Sequence, residues 1–242
     1  MKSLQPTGAG CPRNSGACIA IERGIPILLY SLKLIKRSWF INVRISKTDA
    51  QRQSGQPSLL GLLRHATQEV HQRLHSHEGM GAIQDGTISR GNYYLMLRCL
   101  YGFHAAFENA VEAGFDRTNW LADDLLAMGA SDESLALIPR CGALPALDTA
   151  NQRLGASYVI CGSALGGREL ARGMDALLGV GTTLGRRFFI GNGPATGDVW
   201  RQYLALLADA PSDGQTQTEI VDAAVATFSA FEQWSAGWSE SQ

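Results

Sequence analysis

Arg64 and His71 stand seven residues apart, which on a helix is two turns and one face. An imidazole in that position can ligate a metal, and a guanidinium fork can grip a carboxylate. At ~1.5 Å rise per residue the two lie about 10 Å apart and nearly in line. A flat ligand held by a metal at its centre and by carboxylates on its rim would satisfy both at once, and a heme has about that reach from iron to edge.

Four of the five histidines, His65, His71, His75 and His77, fall within thirteen residues, and His104 stands alone downstream. His71 follows Val70 and precedes Leu74, so its ring is expected at the edge of a buried face, where an imidazole can ligate iron from a pocket rather than from water. His75 comes one turn later and could share a metal with His71. Paired-carboxylate bundle sites want Glu-x-x-His, and Gln68 occupies that place, so a di-iron site loses its motif. His65 and His77 are expected to face solvent.

The second constellation runs Gly155-Ala-Ser-Tyr158-Val-Ile-Cys161-Gly162-Ser163-Ala-Leu-Gly166-Gly167-Arg168. Gly162 and Gly166 share a helix face, and each glycine costs a helix ~1 kcal/mol relative to alanine. Two things could offset that cost. One is close packing against a neighbouring helix; the other is a flat ligand lying directly on the backbone, where side chains would collide. Ser163 would then offer a hydroxyl near the ligand. A phosphate loop does not fit, since no strand precedes the glycines and no Gly-Lys-Ser/Thr follows. Cys161 could be cast as a nucleophile, but its neighbours Ile160 and Gly162 supply no base or cation, so it reads as packing.

The elements that must position these residues are helical. Ser58 can cap a helix whose apolar positions Leu59, Leu62, Leu63, Ala66, Val70 and Leu74 recur until Gly79 and Gly81. Thr87-Ile-Ser89-Arg-Gly opens a second, expected to reach about Ala113. Helical patterns also cover 118–129, 131–138, 148–178, 182–189, 196–208 and 214–236. Val and Ile are sparse, alternation is absent and no repeat of fixed period is evident. The expected fold class is all-α.

Of the 242 residues, 45% are hydrophobic, enough for a real core. The net charge of -1 hides an asymmetry: residues 1–57 hold nine Lys/Arg against Glu22 and Asp49, a local +7, whereas 58–242 hold twelve basic and twenty acidic groups, a local -8. Residues 1–57 therefore read as a basic N-terminal extension, either disordered or an over-extended start, with a targeting or membrane-surface segment as the alternative. Its apolar run, 25–35, is too short and too charged for the ~20 residues a bilayer needs. Five cysteines without a C-x-x-C pair argue against a disulfide framework or thiolate zinc site and point to a reducing cytoplasm.

Five blocks in order resemble the bacterial branch of the biliverdin-producing heme oxygenases. They are Leu63-Arg64-His-Ala-Thr67-Gln-Glu-Val-His71-Gln-Arg-Leu74, Leu100-Tyr101-Gly102-Phe103-His104-Ala-Ala-Phe107-Glu108, Tyr158-Val-Ile-Cys-Gly162-Ser163-Ala-Leu165-Gly166-Gly167, Phe188-Phe189-Ile-Gly191-Asn-Gly193-Pro-Ala-Thr196-Gly197-Asp-Val-Trp200, and Ala226-Thr227-Phe228-Ser-Ala-Phe231-Glu232. The resemblance covers about residues 58–238 and implies a heme-oxygenase-like domain over 58–242. It implies a helical bundle with heme sandwiched between a proximal helix bearing His71 and a distal helix bearing the glycines.

By the same resemblance His71 ligates the iron, Arg64 and Arg201 hold propionates, and Thr67, Tyr158 and Gly167 join the heme contacts. Gly162, Ser163 and Gly166 line the oxygen side, where Ser163 and Arg168 could hold a water. Ser163 replaces the acidic residue of the animal enzymes. Heme would be both substrate and cofactor, O2 the oxidant, and biliverdin, carbon monoxide and ferrous iron the products. No flavin or nicotinamide fingerprint occurs, so electrons would come from an external reductase or ferredoxin; a bilin acceptor such as a phytochrome would be a further partner, with no role for nucleic acid. The alternatives are a non-enzymatic heme-binding sensor of the same fold and a thiaminase-like hydrolase.

Overall fold

Ser58 starts the first helix as its position suggests: in the computed structural model its hydroxyl accepts the Gly61 N–H at 3.2 Å. The structure describes residues 57–111 and 115–236. Apart from Pro57, the basic extension lies outside the described residues, as does the expected end of the second helix at Ala113. Ten α-helices, a 3-10 turn over Gly193–Ala195 and no strand make up the regular structure of the described residues. The all-α expectation holds.

Helix α1 (Leu59–His75) buries Leu59, Leu60, Leu63, Thr67 and Val70. Gly79 and Gly81, expected to stop it, lie instead inside a separate α2 (Glu78–Gln84). His77, expected in solvent, is half-buried and caps α2, its Nδ1 accepting the Gly79 N–H at 3.2 Å. Helix α3 (Arg90–Val111) follows Ser89, whose hydroxyl accepts the Asn92 N–H at 3.1 Å. Next come α4 (Arg117–Ala127) and α5 (Asp132–Ala136).

Helix α6 (Ala150–Gly173) begins at a capping box between Thr149 and Gln152. The expected helix over 148–178 is broken at Met174, after which α7 (Asp175–Leu178) makes one turn. The expected helix over 182–189 is mostly a turn that leaves only α8 (Arg187–Ile190) helical. Gly179, Gly181 and Gly185 adopt φ of +97°, +75° and +78°, values that end a right-handed helix and suit glycine. Long-range bonds fix this turn. Arg186, buried, donates to the Ala171 and Gly179 carbonyls and pairs with Asp175 at 2.6 Å. Asp124 of α4 accepts the Arg187 and Phe188 N–H groups at 2.6 and 2.8 Å.

Helices α9 (Thr196–Ala208) and α10 (Gly214–Ser235) close the chain. Helix α10 is the spine, packing along α6 on one side and α1 on another, with further contact to α3. The core around α1, α6, α9 and α10 contains Leu63, Val70, Val159, Tyr203, Ile220 and Phe228. Each such side chain contributes about 1.5–3 kcal/mol by burial, which fixes α1 and α6 on the same spine.

Candidate functional site

Helix α1 presents Arg64 to solvent, Thr67 to the interior and His71 in between. Thr67 is 3% exposed; its hydroxyl donates to the Leu63 carbonyl at 2.8 Å and is also hydrogen-bonded with Tyr158 of α6. Burial raises the Tyr158 pKa, opposed by that hydrogen bond and by the nearby Arg64 cation. Arg64, Thr67 and Tyr158, chosen from two separate motifs, are therefore neighbours across α1 and α6.

The His71 ring is half-buried, with its centroid 6.1 Å from the Phe228 ring of α10 and 4.4 Å from the His75 ring. Burial foremost, then the neighbouring His75, depresses its pKa to about 4. At neutral pH it is an uncharged imidazole, the form that ligates a metal. Arg73, on the outer side of α1, pairs with Glu232 of α10 at 2.5 Å. That bridge is exposed and worth little energetically, but it marks how the His71 segment lies on α10.

The glycines of α6 separate into two kinds. A Cβ on Gly155 or Gly173 would collide with the carbonyl of Ile220 or of Ile83, and one on Gly167 would lie 2.7 Å from the Phe189 carbonyl. Close packing therefore accounts for these three, and Gly167, expected among the ligand contacts, is explained by the seating of α6 on α8. Gly162 differs: its nearest neighbour beyond the local helix would be Trp200 Cζ3, at an ordinary 3.8 Å. Packing inside the protein does not require a glycine there. Gly166, one turn on, is half-buried.

Trp200 and Tyr203 of α9 wall the same region, stacked with centroids 5.3 Å apart, and Tyr158 lies 6.0 and 6.4 Å from them. Trp200 was visible in a motif, yet its place beside Gly162 depends on how α9 docks on α6, which no local spacing encodes. Phe228 beside His71 was hidden in the same way.

The remaining candidates are placed as follows. Ser163 is exposed and donates to the Ile160 carbonyl of its own helix at 2.9 Å, so its hydroxyl is engaged on the backbone. Arg168 is exposed. Arg201 is exposed and paired with Asp198, one turn earlier on α9. Cys161 is buried, its thiol pushed up to about 11 by burial against the opposing pull of Arg117. A cation that the local sequence lacked is thus supplied from α4, but burial prevails and leaves a neutral thiol, which disfavours a nucleophile.

Behind α6 lies a buried polar group that the sequence did not announce. Arg117 and His104 are each 4% exposed; the Arg117 guanidinium lies 5.7 Å from the Phe188 ring centre, and the His104 ring lies 5.1 Å from the same ring. Glu108 accepts the Arg117 and Thr118 N–H groups at 2.9 and 3.2 Å, capping α4 from α3. Among the described residues no group of three or more His, Cys, Asp or Glu is placed to hold a metal ion. No described helix is long and apolar enough to cross a membrane.

No curated protein matches the chain. The family model for heme oxygenase matches residues 57–237, a span that contains α1 through α10 and every residue of the site above. The chain belongs to the heme oxygenase family.

Proposed function

We propose that this protein is a biliverdin-producing heme oxygenase, opening heme to biliverdin, carbon monoxide and ferrous iron with O2 and electrons from an external reductase or ferredoxin. The observation that carries the reading is Gly162: a helix-weakening residue on the face of α6 beside Trp200 that packing does not require. A flat ligand pressed on the backbone gives it a reason.

The residues present fit heme. His71 offers a neutral, half-buried imidazole to iron. Arg64, two turns back on the same helix and exposed, offers its guanidinium to a propionate at the solvent edge. When bound, heme supplies the iron at which O2 is reduced and the macrocycle that is cut. The protein's own share is positional. Thr67 and Tyr158 set the spacing of α1 and α6, Gly162 and Gly166 allow close approach of the α6 backbone, and the Tyr158, Trp200 and Tyr203 rings exclude water from one flank. Arg201 is the second propionate candidate once released from Asp198, and Ser163 and Arg168 are the polar groups nearest to hand for a distal water.

Heme titration of the purified protein should give a one-to-one complex with a Soret band that His71→Ala abolishes. Adding reductant and O2 should then yield biliverdin absorbance. No heme binding overturns the proposal. Binding without turnover would favour a sensor, a reading helped by the engagement of Ser163 with its own helix.

A further inference from the structure

His71 also belongs to a second arrangement. His75 is one turn further along α1, and the two ring centroids are 4.4 Å apart with planes inclined by 61°. Two histidines at i and i+4 on one helix face form a recurring metal-binding pair. A divalent ion bonded to one nitrogen of each ring at about 2.0–2.1 Å lies roughly 3 Å from each ring centre, which puts the two centres about 4.5 Å apart for a right angle at the ion and about 5 Å apart for a tetrahedral one. The observed 4.4 Å leaves the rings close enough for rotation about the side-chain bonds to turn one nitrogen of each toward a shared ion.

His75 is exposed, which opens the outer side of such an ion to water. Since no described cluster of three or more ligating residues exists, water completes the shell. Imidazole donors select borderline transition ions over magnesium or calcium, which prefer oxygen.

We propose that the heme-free protein binds one divalent transition-metal ion between His71 and His75, and that this ion and heme exclude each other because both need His71. The exclusion rests on the heme reading above; the ion site does not. Zinc or copper in excess would then hold the protein in its heme-free form.

Isothermal titration of the full heme-free chain with zinc chloride, and separately with magnesium chloride, tests the site. One zinc-binding event is expected that weakens at least tenfold in both His71→Ala and His75→Ala, with no comparable event for magnesium. His75→Ala and the milder His75→Gln should keep the wild-type circular dichroism and one-to-one heme binding. In the wild type, added zinc should raise the apparent heme Kd in proportion to its concentration, and in His75→Ala it should not. Equal zinc affinity in His75→Ala and wild type, or a heme Kd indifferent to zinc, overturns the proposal. A zinc site lost in both variants in a protein that never binds heme sustains the ion site and removes the heme reading instead.

Discussion

An imidazole that serves as an iron ligand at neutral pH has to be uncharged, and the position of His71 enforces this. Its folded pKa of about 4 lies below the ordinary 6.5, so between these values the unfolded chain holds more protons than the folded one, and this group makes stability rise with pH. The same shift governs ligation. Heme affinity should stay flat from pH 8 to about 5 and fall only as pH approaches 4; a tenfold loss between pH 7 and 6 in a Soret titration would contradict it. Arg64→Glu should raise the heme Kd about tenfold or change the product isomer, by replacing a propionate partner with a like charge. His71 and Arg64 were legible from spacing because both lie on one helix. The link between Thr67 and Tyr158 was not, because it joins two helices far apart in the chain and is set by how each packs on α10.

At the scale of elements, α6 shows how one motif mixes two causes. Its glycines look alike in sequence, and only the neighbours distinguish them. Gly155→Ala and Gly173→Ala place a methyl against a backbone carbonyl and should each cost about 1–3 kcal/mol in chemical denaturation. Gly162→Ala meets only van der Waals contact with Trp200 and should stabilise the heme-free protein by up to ~1 kcal/mol through helix propensity, while weakening heme binding. Equal destabilisation by all three would remove the distinction on which the proposed site rests. The starts of helices were legible where a side chain caps locally, as at Ser58 and Ser89. The region 174–190 was not, because Arg186 and Asp124 fix it from within the fold, and apolar spacing continues through a turn that glycines and long-range bonds impose.

For the molecule as a whole, two groups that burial shifts pull its pH response in opposite directions. Burial raises Asp124 from its ordinary 3.8 to about 6, so the folded state holds the extra proton between these values and stability falls as pH rises through them, by about 3 kcal/mol. His71 acts with the opposite sign over nearly the same window. Asp124→Asn should therefore make stability climb more steeply from pH 4 to 6 than in the wild type, read by urea midpoints across pH; an unchanged slope would show that Asp124 titrates normally. The same substitution weakens the acceptor for Arg187 and Phe188 and should lower stability by about 1–3 kcal/mol at pH 4–5. The all-α class was readable from composition and periodicity, since helical spacing is local; the roles of Asp124 and Arg117 were not, since both become buried only when α4 meets α8 and α6. Trp200, stacked on Tyr203 and seated against Gly162, makes the proposed heme site optically self-reporting: a pigment bound beside it should quench indole emission by energy transfer, and Trp200→Phe should isolate its share from the other four tryptophans, so that entry and departure can be timed in unlabelled protein.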